Sequence, residues 1–237
     1  MTTKDILEAF DRAGLDLDPA QADQLLAYDA FLRAANQAIN LTAITAPEEV
    51  LEKHFIDCAL VLPYLPEEPQ QVIDIGSGAG FPGMVWAILR PGWTFTLLDS
   101  LQKRVHFLEG LALDLGLVDR VHPLHGRAED LGHQADHRAA YDLASGRAVT
   151  GMGGFLEYAL PFVKTGGLVA VMKGPGEEGG LAAIRAAAET LGGAYRDQLT
   201  YALPAGDSRR LWRFDKLAAS PDRYPRRPKA IKNKPLL

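Results

Sequence analysis

A chain of 237 residues, 47% hydrophobic and 23% charged, with a formal net charge of −5, has room for one α/β domain with an appendage. No apolar run approaches the roughly 18 residues of a membrane helix, and the start at Met1-Thr2-Thr3-Lys4-Asp5 lacks a signal-peptide core, so a cytoplasmic location is expected. Cys58 is the only cysteine, which excludes an internal disulfide, a Cys-x-x-Cys zinc site and paired-cysteine chemistry.

In chain order, residues 4–13 and 19–39 have helical spacing, with Asp18-Pro19 as cap and first turn of the second helix. Asn40-Leu41-Thr42 reads as a turn. A third helix is expected from Pro47 to about Leu62, burying Val50, Leu51, Phe55, Cys58, Ala59 and Leu62, with Pro63 ending it. His54 and Asp57 lie three apart on it and read as a hydrogen-bonded surface pair. Residues 1–68 thus form a helical appendage ahead of the first strand, and residues 69–217 a core in which strands and helices alternate as in a doubly wound, mostly parallel sheet. After a helix at 82–90 come a strand at 94–99, a helix at 101–115, and strands at 120–125 and 141–145. A helix at 155–163, a strand at 168–172, a helix at 177–191 and strands at 195–203 and 210–216 complete the core. His133 and His137 have helical ligand spacing but no third partner, so no metal site is expected.

The chemistry concentrates where the first strand ends, in Val72-Ile73-Asp74-Ile75-Gly76-Ser77-Gly78-Ala79-Gly80-Phe81-Pro82-Gly83. Three glycines at alternate positions leave bare backbone N–H groups against which a ligand can lie, and Gly78 is expected to admit no side chain. Gly78-x-Gly80-x-x-Gly83 also satisfies the dinucleotide fingerprint, so an NAD(P)-dependent oxidoreductase stays open at this point. Asp99 closes the second strand roughly 20 residues on, where an acid accepts ribose hydroxyls. Asp74 would oppose a pyrophosphate but tolerate a cationic nucleoside such as S-adenosylmethionine, unless it merely caps the turn. The strand assignment also brings Ala128-Glu129 and Ser145 to Arg147 to the carboxyl edge of the sheet, where ligands of such folds lie.

These motifs, with Asn40-Leu41-Thr42, His54-Phe55-Ile56-Asp57, Leu97-Leu98-Asp99-Ser100, Lys103-Arg104-Val105, Gly126-Arg127-Ala128-Glu129, Arg147-Ala148 and Tyr224-Pro225-Arg226-Arg227, resemble those of the bacterial 16S rRNA guanine-N7 methyltransferases, the RsmG family once called GidB. The resemblance implies a class I methyltransferase with a seven-stranded Rossmann-like sheet and S-adenosylmethionine as cofactor. It implies that Gly76 and Phe81 contact that cofactor, that Asp99 holds its ribose, that Ala128 and Glu129 flank its adenine, and that Arg147 sits at the pocket's edge as the candidate catalytic residue. Gly146 stands where the family usually has serine, so a hydroxyl contact is expected to be lost. Lys229-Ala230-Ile231 replaces the expected Gly-x-Pro after Arg226-Arg227-Pro228.

Charge is unevenly spread. From Arg209 to the end the chain carries +8, against −13 in residues 1–208. The tail at 218–237, with Arg223, Arg226, Arg227, Lys229, Lys232 and Lys234 among prolines, is expected to be extended, non-helical and RNA-binding. The implied partner is 16S rRNA or the small ribosomal subunit, with no DNA or membrane partner expected and a monomeric state.

Overall fold

The computed structural model describes residues 1–147, 149–176 and 180–236. The first two helices are α1 (Thr3–Arg12) and α2 (Pro19–Ile39), each opened by a capping box, Thr2 with Asp5 and Asp18 with Gln21. The expected third helix is a composite: α3 (Pro47–Val50), a π-helical stretch (Leu51–Ile56), α4 (Asp57–Leu60), and a 3₁₀ turn at Leu62–Tyr64. Apolar periodicity cannot distinguish i→i+4 from i→i+5 hydrogen bonding, and π turns of this kind favour functional sites.

The core follows as β1 (Gln71–Ile75), α5 (Gly83–Leu89), β2 (Thr94–Asp99), α6 (Gln102–Asp114), β3 (Val121–His125), α7 (Ala128–Leu131) and β4 (Tyr141–Arg147). Then come α8 (Met152–Ala159), β5 (Val163–Lys173), α9 (Leu181–Thr190), β6 (Gly193–Ala202), β7 (Ser208–Lys216) and α10 (Pro228–Asn233). The sheet has seven strands in the order β3-β2-β1-β4-β5-β7-β6, parallel except for β7 against its two neighbours. The expected doubly wound class is the observed one, and strand order reverses between β1 and β4, which fixes where a ligand crevice opens.

Several boundaries move. α8 begins at Met152 rather than Phe155, and β5 begins at Val163, because Gly166 at φ 90° lets the strand bend where a turn was expected. The expected helix at 177–191 begins partly outside the described residues and is described from Leu181. One sheet face shares a single hydrophobic cluster with α1, α2 and the composite helix, including Ile6, Leu25, Tyr28, Phe55, Trp86 and Leu108. The other face packs on α8 and α9 through Phe155, Leu156, Ile184 and Phe214.

The tail departs most from expectation. α10 forms with Pro228 in its first turn, where no N–H is required, and Ile231 is buried. Ahead of it Tyr224 is buried, and Arg138 donates to the carbonyls of Ser220 at 2.7 Å and Tyr224 at 2.8 Å. His133 Nε2 lies 2.7 Å from the Pro225 carbonyl, and His137 meets the Tyr141 hydroxyl, so that histidine pair serves packing. Arg226 donates from its backbone N–H, Nε and Nη2 to the fully buried carboxylate of Glu157, at 2.7–2.8 Å. Arg223, Arg227, Lys229, Lys232 and Lys234 stay exposed. The tail is docked because Glu157 offers it a buried countercharge, which no reading of the tail's own composition could supply.

Candidate functional site

The glycine turn is built on positive φ: Gly76 at 70°, Gly78 at 58° and Gly80 at 100°. Those values are strained for residues with a Cβ, which explains the glycines before any ligand is considered. A Cβ on Gly83 would come within 2.5 Å of Leu97 Cδ2, so that glycine serves close helix–strand packing.

A cavity of about 300 Å³ opens beside this turn at the carboxyl ends of β1 and β2, lined by Gly76, Asp99, Ala128, Glu129, Tyr158 and Pro228 among others. Its walls mix apolar side chains with two largely buried carboxylates. Asp99 Oδ2 accepts from the Gly78 N–H at 2.9 Å and Oδ1 from the Leu101 N–H at 2.9 Å, while Arg104 Nη1 stands at 3.4 Å. Gly78 and Arg104 together occupy Oδ2, while Oδ1, with one partner, keeps acceptor capacity. Glu129 is 3.5 Å from Arg127. Gly76 is the cradle: a Cβ there would meet Val149 at 3.0 Å and fill part of the wall.

The eight expected cofactor residues therefore divide. Gly76, Asp99, Ala128 and Glu129 line the cavity. Gly78 donates to Asp99 rather than forming the wall. Asp74 stands behind the turn, fully buried, its Oδ1 accepting from Ser145 Oγ at 2.9 Å and its Oδ2 from the Gly83 N–H at 3.2 Å. Burial pushes its pKa up to about 6, against the Ser145, Ser77 and Gly83 hydrogen bonds that hold it down. Asp74 fastens the turn to β4 through one hydrogen bond on each carboxylate oxygen, and it is not among the residues that line the cavity.

Phe81 and Arg147 belong to a neighbouring structure. The Phe81 ring stacks on His54 at 4.2 Å and on Tyr28 at 5.4 Å, and the Arg147 guanidinium lies 4.9 Å over it. Arg147 Nη1 donates to Asp57 at 3.2 Å and to the Lys53 carbonyl at 3.0 Å, and Nη2 lies 2.8 Å from His54 Nδ1. His54 and Asp57 are thus buried and joined through Arg147, not paired with each other on a surface. His54 Nδ1 also lies 3.0 Å from the Lys53 carbonyl, and its Nε2 lies 3.1 Å from Thr42 Oγ1. Burial, then the Arg147 charge, lower its pKa to about 3, so it is a neutral ring at any ordinary pH. This network lines a second cavity of about 340 Å³ with Tyr201 and Arg209, two residues that sequence reading did not select. No local pattern marked them, since β6 and β7 reach the site only through sheet order.

Gly146 is also explained. A Cβ there would fall 2.2 Å from Phe155 Cε2, so a serine is incompatible with this packing. Ala148 of the Arg147-Ala148 motif lies outside the described residues.

A family model described as GidB, rRNA small subunit methyltransferase G, matches residues 21–199. The chain belongs to this family. Relatives named ribosomal RNA small subunit methyltransferase G agree over nearly the full length: that of Moorella thermoacetica is 42% identical over 234 residues, covering 98% of this chain and 97% of its own. That of Leuconostoc mesenteroides is 39% identical over 239 residues, covering 100% of each. Among solved structures, an O-methyltransferase from neocarzinostatin biosynthesis, crystallised with S-adenosyl-L-homocysteine, superposes with a TM-score of 0.54 at 20% identity, over 72% of this chain and 55% of its own. TrmN from Thermus thermophilus gives 0.50 at 22% identity, over 70% and 53%. Both likenesses bear on the fold, which is that of the class I methyltransferases. Among the described residues no group of three potential metal ligands occurs, and no helix is long and apolar enough to cross a membrane.

Proposed function

We propose that this member of the GidB family transfers the methyl group of S-adenosylmethionine to N7 of a guanine in 16S rRNA, in the cytoplasm and as a monomer. Membership in a family described as rRNA small subunit methyltransferase G is the observation that carries the reading. When bound, the cofactor supplies an electrophilic methyl on a sulfonium. The first cavity suits its nucleoside: apolar walls at Ile75, Leu98 and Val149 for the base, and the remaining acceptor capacity of Asp99 Oδ1 and of Glu129 for hydroxyls and the adenine edge. Membership in a family of rRNA methyltransferases argues against the oxidoreductase alternative.

Guanine N7 carries an in-plane lone pair and no proton, so an enzyme acting on it needs positioning rather than a base. The residues beside Arg147 agree with that. His54 is held neutral with its Nδ1 against Arg147, and Asp57 is engaged by Arg147 and Tyr201. Arg147 is therefore read as positioning the substrate side of the turn, not as exchanging a proton. The exposed cations Arg223, Arg227, Lys229, Lys232 and Lys234 are read as phosphate contacts, with Arg226 reassigned to anchoring the tail.

Mapping the modified nucleotide in 16S rRNA from cells lacking and carrying this protein tests the reading: a 7-methylguanine that appears only with the protein is the expected result. Single-turnover rates should be nearly flat from about pH 7 to 9. A steep rise across that interval would point to an exocyclic amine instead. Asp99→Ala is expected to weaken S-adenosylmethionine binding by about 1.5–3 kcal/mol, the worth of charge-assisted hydrogen bonds, and to release the Gly78 N–H as well. Calorimetric titration of the folded variant measures it, and unchanged affinity would remove Asp99 from the site.

A further inference from the structure

The second cavity lies across the end of β4 from the first. Lys173, which lines it, donates from Nζ to the carbonyl of Thr150 on the wall of the first, 2.5 Å away. Ile44 and Met172 give the second cavity apolar faces, and about 340 Å³ is ample for a purine.

Its polar groups are one-sided. The acceptors are engaged within the protein. Asp57 Oδ1 takes the Tyr201 hydroxyl at 2.7 Å, and Oδ2 takes Arg147 Nη1 at 3.2 Å with Arg209 Nε at 3.7 Å. Both ring nitrogens of His54 are engaged, Nδ1 by Arg147 and the Lys53 carbonyl and Nε2 by Thr42 Oγ1. Arg209 also meets Asp207 at 3.5 Å and the Ser208 carbonyl at 3.0 Å, and Lys53 meets Glu49 at the rim. Three of the five guanidinium hydrogens of Arg147 are accounted for by Lys53, Asp57 and His54, and its Nε–H has no partner among the described residues. What the cavity offers a guest is donors.

Guanine and adenine differ on the relevant edge. Beside N7 guanine carries O6, an acceptor, and adenine carries N6, a donor. A donor-lined cavity pairs with the first and opposes the second. A guanidinium on O6 alone also leaves the N7 lone pair free for the methyl, which the common two-point Arg contact to O6 and N7 would block. We propose that the second cavity receives the target guanosine and selects guanine over adenine through O6, held by the guanidinium N–H groups of Arg147 and Arg209 that Asp57 keeps in place. This rests on the function proposed above and names the subsite and the atom that is read.

The test uses 16S rRNA ligated around a synthetic segment carrying one analogue at the mapped target. Inosine keeps O6 and N7, 2-aminopurine keeps N7 without O6, and 7-deazaguanine keeps O6 without N7. Inosine should stay within about threefold of guanine in kcat/KM, and 2-aminopurine should fall by about 10- to 100-fold, the worth of one good base contact. Arg209→Met should bring the guanine to 2-aminopurine ratio down by about tenfold with S-adenosylmethionine affinity unchanged by calorimetry. Arg209→Lys, which keeps a donor, should retain more of the ratio and serves if the methionine variant fails to fold. Equal rates on guanine and 2-aminopurine, or a ratio indifferent to both substitutions, would overturn the proposal while leaving N7 methylation intact. Methylation of 7-deazaguanine would instead overturn the reading of N7 as target.

Discussion

Arg226→Ala is expected to destabilise the protein by about 3–5 kcal/mol, because it leaves the carboxylate of Glu157 buried with no countercharge. Glu157 is fully buried on α8, and Arg226 supplies both its side-chain partners and, through the main chain, a third donor. The substitution also frees the segment that ends at Pro228, which walls the first cavity, and Ile231, which packs near Gly154. S-adenosylmethionine affinity should therefore fall together with stability. Urea denaturation and calorimetric titration of the variant measure the two effects. A midpoint like that of the unsubstituted protein would mean that the tail rests on the core without contributing to it. Ending the chain at Ala219 should lower cofactor affinity as well as RNA affinity, since Pro228 is removed from the cavity.

Gly76→Val should abolish S-adenosylmethionine binding. The residue has φ 70°, which a β-branched side chain adopts at a cost of about 1–3 kcal/mol. Its Cβ alone would reach 3.0 Å from Val149 on the opposite wall, and the added methyls would enter the cavity. Strain and occlusion act together, so the effect should exceed that of valine at Gly78, where a Cβ meets nothing nearer than 3.8 Å and only the positive φ opposes it. Thermal unfolding followed with and without S-adenosyl-L-homocysteine separates the parts: a lowered midpoint reports strain, and loss of the ligand-induced rise reports the blocked cavity. A normal rise in the Gly76 variant would show that the nucleoside binds elsewhere.

The strongly local parts of the site were legible in the sequence. A glycine at φ 70° beside a strand end, an acid closing the next strand and the Ala128-Glu129 turn after the third follow from chain-local chemistry, and all three line the first cavity. The strand and helix alternation likewise fixed a doubly wound sheet, since buried parallel strands need helical crossovers.

Partners distant in the chain were decided only by the tertiary structure. Asp74 looked like a ligand residue because its position in the motif is visible from the sequence, whereas the Ser145 hydroxyl bonded to it comes from β4, 71 residues away. His54 and Asp57 looked like a surface pair because spacing shows helix neighbours only. Burial and the arrival of Arg147 from β4 and Tyr201 from β6 turned them into one network. The tail looked extended and non-helical because its own residues offer little to bury, and Glu157 on a distant helix supplied the reason to dock. Local propensity and periodicity act over a few residues and can be read in order. Desolvation and countercharge are set by whatever the fold brings alongside.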